Sequence, residues 1–442
     1  MRDPGFATTK STALLLALSV LVGCSGSGGG SSPAVIIQRN AGYYDVVLDH
    51  AGRTHREVGR AYAEAIRATV PDYEARLDAL IYLQLDIVNA VLAEVQQPTL
   101  TIADLVRRAR AIAANVPQDY VDEIQGMQEI YGYATDAEDG RLSANELLVV
   151  NLFPDVLRPG GCSASAAFGE ASATGKTILG RNLDWFTATA EIAAPLSAVQ
   201  TFKNGSKSSV NLTMLGMLSA SSQFNARKVF GGVLDGNLEK PYPEDLTGTR
   251  SYVFDLRYAI ENFSTMQEVA DHMLAGKYAF SHNVFVADQN VAGVVENDDS
   301  ALGGRGLRLG DSPLNPDIGR TWGIPDTLAV VNDFRLPLTD WQYDVSNDYR
   351  WASFQGLYAG AGALGGMKVD VGRMKGIAGY YGLNGDDWTT GALFLSTPEH
   401  YFTMQSIVLD TSSMELWAHF APGYPPPLTP TYVRVRHALE AP

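Results

Sequence analysis

The stretch from Arg158 to Phe186 reads RPGGCSASAAFGEASATGKTILGRNLDWF and carries one thiol, Cys162, directly after Gly160 and Gly161. The chain has 2 cysteines, and the other is Cys24. A cysteine becomes a strong nucleophile when a base takes its proton. Two bases are open to it. One is a histidine brought close by the fold. The chain has 7, of which His55 and His272 are nearest in sequence, and none sits in a local signature. The other base needs no second residue. If the Gly161–Cys162 bond is cut, the new α-amino group, with a pKa of ~7.7–8.0 in an unperturbed peptide, can accept the thiol proton near neutral pH. Nucleophile and base then lie on one residue. Glycines before the thiol suit the tight turn that brings sulfur onto the preceding carbonyl.

Two nearby patterns do not hold up as sites. ATGKT suggests a phosphate-binding loop, which needs G-x-x-x-x-G-K-[ST]. Counting back five from Gly175 reaches Glu170, and Gly169 is one position too far. Thr135 to Glu146 suggests a calcium loop, with Gly140 at position six and Glu146 at twelve. Thr135 and Ala137 then occupy positions one and three, which removes two carboxylates. The plainer reading is a polar connector that caps the helix of ELLVVN. Neither a metal nor a cofactor is expected.

The bulk numbers bound the setting. The 442 residues carry a formal net charge of -16, with 46% hydrophobic and 19% charged residues. That is globular composition. The acidic balance argues against nucleic acid, whose phosphates want a basic face. Arg2 and Lys10 precede an apolar run, Leu14 to Val22, too short to span a bilayer. The run ends in LVGC, which resembles a bacterial lipobox. Residues 1–23 then form a signal peptide, Cys24 takes lipid, and residues 24–33 are a flexible tether. Ser25 is compatible with onward transport to an outer membrane. The expected location is the bacterial cell envelope, on the outer membrane or facing the periplasm, with attachment through Cys24 only. Cys162 then has no disulfide partner in the chain.

These groups need elements to position them. Residues 34–161 read as mainly helical after a strand at Tyr43–Leu48. Pro71 divides one long apolar-periodic stretch into two helices. Thr101 caps a further helix, with Asp104 three residues on, and Pro117 opens another. After Cys162, strand patterns dominate: KTILGRNLDWF, AVQTFKN, SVNLTMLGML, KVFGGVLDGN, HNVFVADQNVAGVVEN, TLAVVNDF, MQSIVLD and MELWAHF. One helical block, residues 251–276, interrupts them, and Thr265 with Glu268 marks a second start inside it. Strands grouped around paired helices predict a layered sheet protein with mostly antiparallel pairing.

GGCSAS…GKTILGRNLDWF resembles the cysteine N-terminal-nucleophile (Ntn) hydrolases of the penicillin acyltransferase-like and choloylglycine hydrolase group. FGGVLDGN, YAFSHNVFVAD…GVVEN, AVVNDF and MQSIVLDTSSMELWAHF are similar to later blocks of that group, in order, across roughly residues 43 to 433. The resemblance implies an α+β fold, a four-layer αββα sandwich with a mainly helical N-terminal segment. It implies autocleavage between Gly161 and Cys162, leaving 34–161 and 162–442 as two fragments, and the apolar helices of the first suggest that it stays associated. Cys162 would be the nucleophile, and Arg181 would favour its thiolate. Asp184 would hold the α-amino group. Asn332 would donate to the oxyanion, although Val331 and Asp333 replace the group's threonine and histidine. Asp235 and Asn237 would stand beside the oxyanion, with Asp235 where asparagine is common. Arg350 would support the nucleophile's surroundings.

The implied reaction is hydrolysis of a linear, non-peptide C–N amide through a thioester. The substrate would be a small molecule with an apolar acyl part. Transfer of the acyl group to another amine is an alternative. Two rivals are a histidine-assisted cysteine hydrolase that never cuts itself and a surface binding lipoprotein without catalysis.

Overall fold

The computed structural model describes residues 32–94, 96–157, 160–236, 243–298, 304–362, 366–382, 391–395, 401–422 and 427–440. The expected signal peptide, Cys24, the tether as far as residue 31 and Asn237 lie outside the described residues.

Caps and prolines start the helices where the sequence puts them. After β1 (Val35–Arg39) and β2 (Tyr44–Asp49), a Thr54–Glu57 capping box opens α1 (His55–Thr69). Pro71 separates it from α2 (Tyr73–Glu94). Thr101 and Asp104 cap each other at α3 (Ile102–Ala113), and Pro117 directly precedes α4 (Gln118–Tyr131). Ser143 and Glu146 form the same box at α5 (Ala144–Asn151), and Asp136 accepts from the Ser143 hydroxyl at 2.6 Å. The calcium-like stretch is thus a capping connector. α6 (Phe153–Leu157) ends the segment. Along α1 the buried stripe is Val58, Tyr62, Ala63 and Ile66. Burial of Val58 and Ile66 contributes roughly 1.5–3 kcal/mol each.

Strands follow: β3 (Cys162–Ala167), β4 (Ile178–Phe186), then α7 (Thr187–Ala193), β5 (Ser197–Lys203), β6 (Ser209–Met214), β7 (Ser222–Asn225) and β8 (Phe230–Asp235). The helical block splits as expected into α8 (Tyr252–Asn262) and α9 (Met266–Leu274), the latter opened by the Thr265–Glu268 box. β9 (His282–Ala287), β10 (Ala292–Asn297), β11 (Arg305–Arg308) and β12 (Thr327–Val330) come next. α10 (Val345–Tyr358), α11 (Val371–Ala378), β13 (Tyr401–Asp410), β14 (Glu415–Phe420) and β15 (Val433–Val435) complete the described elements.

Nine strands form one sheet, in the order β1-β2-β5-β6-β7-β8-β9-β10-β11, and six form the other, β12-β3-β4-β13-β14-β15. Among the described strands every pairing is antiparallel except β2 with β5. The sheets meet face to face where β3 approaches β8 and β12 approaches β10. α1, α8 and α9 cover the nine-stranded sheet, and α10 and α11 cover the other. The architecture is α+β in four layers, helix–sheet–sheet–helix.

A buried ion network ties residues before Cys162 to residues after it. Glu123 on α4 accepts from Arg257 on α8 at 2.5 and 2.9 Å, from His50 at 2.9 Å and from His55 at 2.7 Å. The guanidinium lies 4.1 Å from the Phe202 ring centroid and 4.2 Å from that of Tyr120. Burial would push the Glu123 carboxyl up, but Arg257 and the two histidines hold it well below the usual range. Removing one partner leaves the other charge buried. Arg257→Leu is therefore expected to lower the unfolding free energy by about 3–5 kcal/mol, measured by urea denaturation.

Candidate active site

β3 opens on the thiol. Cys162 pairs with Leu183 of β4, and Ala164 pairs with Arg181. Strand alternation sends Cys162, Ala164 and Ala166 into the core between the sheets, beside Leu179 and Leu183. Ala167 and Ile178 face the opposite way, into the core under α10 and α11.

Arg181, 2% exposed, reaches from its own sheet to the other one. Nη1 donates to Ser222 Oγ of β7 at 2.6 Å, and Nη2 donates to the Val233 carbonyl of β8 at 2.5 Å. The same Nη2 lies 3.6 Å from Cys162 Sγ. A Cβ added at Gly232 would stand 2.7 Å from Arg181 Nε, so glycine there makes room for the guanidinium. Burial pushes the Cys162 thiol up to about 11, while Arg181 pulls against it. In the uncut chain the sulfur is therefore a thiol at neutral pH.

The backbone at Cys162 is held from the α10 side. Its N–H donates to Asn332 Oδ1 at 2.8 Å. Arg350 Nη1 donates to the Cys162 carbonyl at 3.1 Å, and Nη2 donates to Asn332 Oδ1 at 3.1 Å and to Asn347 Oδ1 at 2.5 Å. Asn332 Nδ2 donates to the Asp235 carbonyl at 2.9 Å. Two donors on one side and an acceptor on the other fix the orientation of this carboxamide. In the uncut chain the carboxamide nitrogen of Asn332, the group expected to donate to an oxyanion, is held by the Asp235 carbonyl. The atom that Asn332 turns toward Cys162 is its oxygen, an acceptor, because the Cys162 amide and Arg350 offer only donors there.

Asp184 stands at the other end of the same peptide unit. Its N–H donates to the Gly161 carbonyl at 3.0 Å. Its Oδ1 accepts from Thr403 Oγ1 at 2.5 Å, and its Oδ2 is buried without a hydrogen-bond partner among the described residues. Burial pushes the Asp184 carboxyl up to about 6, against the pull of Thr403, Arg350 and Arg181. Thr403 and Ser222 escape a sequence reading, since neither belongs to a motif and Thr403 lies 219 positions from its partner.

The residues leading into Cys162 are pinned as well. Asp155 on α6 accepts from Ser251 Oγ at 2.6 Å and from the Tyr252 N–H at 3.0 Å, at the N-terminus of α8. Burial pushes its carboxyl up to about 8. Tyr252 Oη donates to the Pro154 carbonyl at 3.1 Å. Gly160 has φ +156° and a Cβ there would meet the Asp184 carbonyl oxygen at 2.6 Å, whereas at Gly161 the nearest atom would be 3.6 Å away. The steric demand for glycine falls on position 160.

The sulfur lines a small cavity, of about 30 Å³. Leu183, Trp185, Met217, Val233 and Tyr252 form apolar walls, and Ser221 and Asp235 add polar groups. The structure thus brings Cys162, Arg181, Asp184, Asp235, Asn332 and Arg350 together around one peptide bond. No histidine is among the described residues that line this cavity or bond to Cys162. His55 is taken up by Glu123, and His272 meets Arg250. His50, His55 and Glu123 are the one group among the described residues with metal-ligand geometry, their donor atoms within 4.8 Å of one another. A guanidinium already grips that carboxylate with both ends, which suits an ion pair and not a cation site.

No family model matches the chain, and no curated protein does. Solved structures similar to it include the N-acylethanolamine-hydrolyzing acid amidase ortholog of Caenorhabditis elegans. That match has 15% identity and a TM-score of 0.40, over 57% of this chain and 93% of the other. A mutant conjugated bile acid hydrolase from Clostridium perfringens shares 11% identity at a TM-score of 0.36, over 63% and 98%. Penicillin V acylase from Agrobacterium tumefaciens shares 13% at 0.36, over 62% and 86%. A likeness at this level bears on neither reaction nor substrate.

The Arg181 contact has a direct readout. Arg181→Met is expected to slow alkylation of Cys162 by iodoacetamide about tenfold at pH 8, because the thiolate loses its nearest cation. Peptide mass mapping follows the modified cysteine.

Proposed function

We propose that this protein is a cysteine amidase that cuts its own chain before Cys162 and then hydrolyses a linear amide. The observation that carries the reading is the convergence of Arg181, Asn332, Arg350 and Asp184 on Cys162 and its preceding peptide bond.

Maturation begins with Sγ adding to the Gly161 carbonyl carbon. The Asp184 N–H already donates to that carbonyl oxygen and would stabilise the charge that develops on it. The C–N bond breaks, and nitrogen takes up the proton that sulfur gave up. Water then cleaves the thioester, leaving a Gly161 carboxylate and a free Cys162 amine. Cys162 is now equipped with its own base. On a substrate amide, the amine takes the thiol proton and sulfur attacks the carbonyl carbon. The substrate nitrogen leaves with a proton from the α-ammonium. Water releases the acyl group as a carboxylate and restores the thiol.

The apolar walls around Sγ favour an apolar acyl group in the substrate. The fragment 34–161 stays bound after cleavage. Support comes from β2, which is hydrogen-bonded in register with β5, and from the Glu123–Arg257 pair. Lipid on Cys24 would tether the protein to a bacterial envelope membrane. Among the described residues no helix is long and apolar enough to cross one.

Mass spectrometry of the purified protein tests the core of this reading. Two fragments are expected, the second beginning at Cys162, and Cys162→Ala should stay whole and lose amide hydrolysis entirely. A wild-type protein that stays whole while hydrolysing amides would overturn it.

A further inference from the structure

We infer that Thr403 is a positioning residue that decides which oxygen of Asp184 serves the Cys162 nitrogen. The inference rests on the reading that Cys162 ends as a free amine.

Thr403 sits beside Asp184 across the β13–β4 pairing. One residue further the register slips: Thr403 faces Asp184, Gln405 faces Leu183, and Met404 is the extra residue. A bulge of this kind re-aims the side chains next to it. Here Thr403 Oγ1 comes 2.5 Å from Asp184 Oδ1. The Leu395 N–H donates to the same Thr403 oxygen at 2.9 Å. An ionised carboxylate has no hydrogen to give, so across this contact the Thr403 hydroxyl donates and Asp184 Oδ1 accepts. The Leu395 N–H takes one of the hydroxyl's two lone pairs and helps hold the side chain in that pose.

The consequence falls on the other oxygen. While Thr403 donates to Oδ1, Oδ2 is the oxygen left to carry a proton or to receive a new donor. Oδ2 is buried on a residue with no exposure and has no partner among the described residues of the uncut chain. An unmet buried carboxylate oxygen is costly. The hydrogens of a Cys162 amine, freed by cleavage next to Asp184, are the donors that would meet it. Thr403 thus keeps one oxygen occupied so that the other stays open for the amine.

The charged groups that face Asp184 are few. Arg181 comes from its own strand, Arg350 from α10, and the Cys162 thiol from β3. The helices packed on β4 add none. On α7 Glu191 is exposed. On α11 Arg373 donates to the Leu357 carbonyl and Lys375 lies over the Trp417 ring.

The test compares Thr403→Val, which keeps the shape, with Thr403→Ser, which keeps the hydroxyl. Two quantities are followed from pH 4 to pH 9: the appearance of the fragment that begins at Cys162, and alkylation of Cys162 by iodoacetamide. Thr403→Val is expected to slow fragment formation about tenfold and to move the acid bend of the alkylation profile up by about one pH unit. Thr403→Ser should return both to the wild-type curve. A valine variant on the wild-type alkylation curve, or a serine variant that shifts as valine does, would overturn the role of Thr403. Wild-type protein that never yields the fragment would instead remove the amine on which the inference rests.

Discussion

A guanidinium buried between two sheets has to be met by acceptors, and Arg181 is met by three that come from separate strands. Leaving such a charge unpaired costs several kcal/mol. Ser222 on β7, the Val233 carbonyl on β8 and the Cys162 sulfur on β3 take its hydrogens. The stacking of the two sheets is thereby locked to the position of the thiol. Gly232 has no side chain because the guanidinium passes through the space one would fill. The same burial works against ionising the sulfur, and it outweighs the arginine. A thiol held this way needs a base of its own, and the uncut chain offers no histidine among the described residues around it.

The site is built from two sides. Cys162 points into the inter-sheet core with Leu183, while its amide is gripped from the α10 side by Asn332 and Arg350. Asp184 lies one step out of phase with Leu183 along β4 and faces Thr403 across the β13 pairing. Sulfur and nitrogen of one residue therefore sit in different surroundings. The sulfur has apolar walls and one cation. The nitrogen has an amide oxygen already at hydrogen-bond distance, and the residue whose N–H holds the preceding carbonyl, Asp184, carries a carboxylate with one oxygen unmet.

The sequence made some of this legible and hid the rest for physical reasons. Capping boxes at Thr54, Thr101, Ser143 and Thr265 are local, so the helix starts could be read from neighbouring residues. Of these, the sequence reading marks Thr101 and Thr265 as starts and places Ser143 in the connector that caps ELLVVN. Strand patterns worked where alternation was strong. They missed β7, four residues of SQFN, and they ran β6 on through Leu215–Leu218, where the chain turns. β1 was hidden because it is an edge strand, half exposed and next to the tether. Cys162, Arg181 and Asp184 stand within one stretch of chain and share a strand pair, so a motif could hold them together. Asn332 and Arg350 were placed through a resemblance, but the orientation of the Asn332 carboxamide depends on two donors and an acceptor from three distant segments. Thr403 was invisible because its contact is made by a bulge, and bulges leave no short-range mark in the sequence.

A cut chain usually gains freedom on both sides of the break, and the disposition of β3 would limit that for the proposed cut before Cys162. β3 is a central strand, paired on one side with β12 and on the other with β4. Its first residue is also held through its carbonyl by Arg350. Breaking the preceding bond removes one covalent link from Cys162 and none of the ladder. On the other side, Asp155 fixes α6 to the start of α8, only a few residues before the break. The earlier strands cannot leave without cost, since β2 lies between β1 and β5 in the large sheet. The new amine would therefore appear inside a scaffold already formed, and little ordering entropy would remain to be lost before it could act. An internal strand would suit the proposed nucleophile for this physical reason: the fold could be completed first, and the base released afterwards at a fixed place.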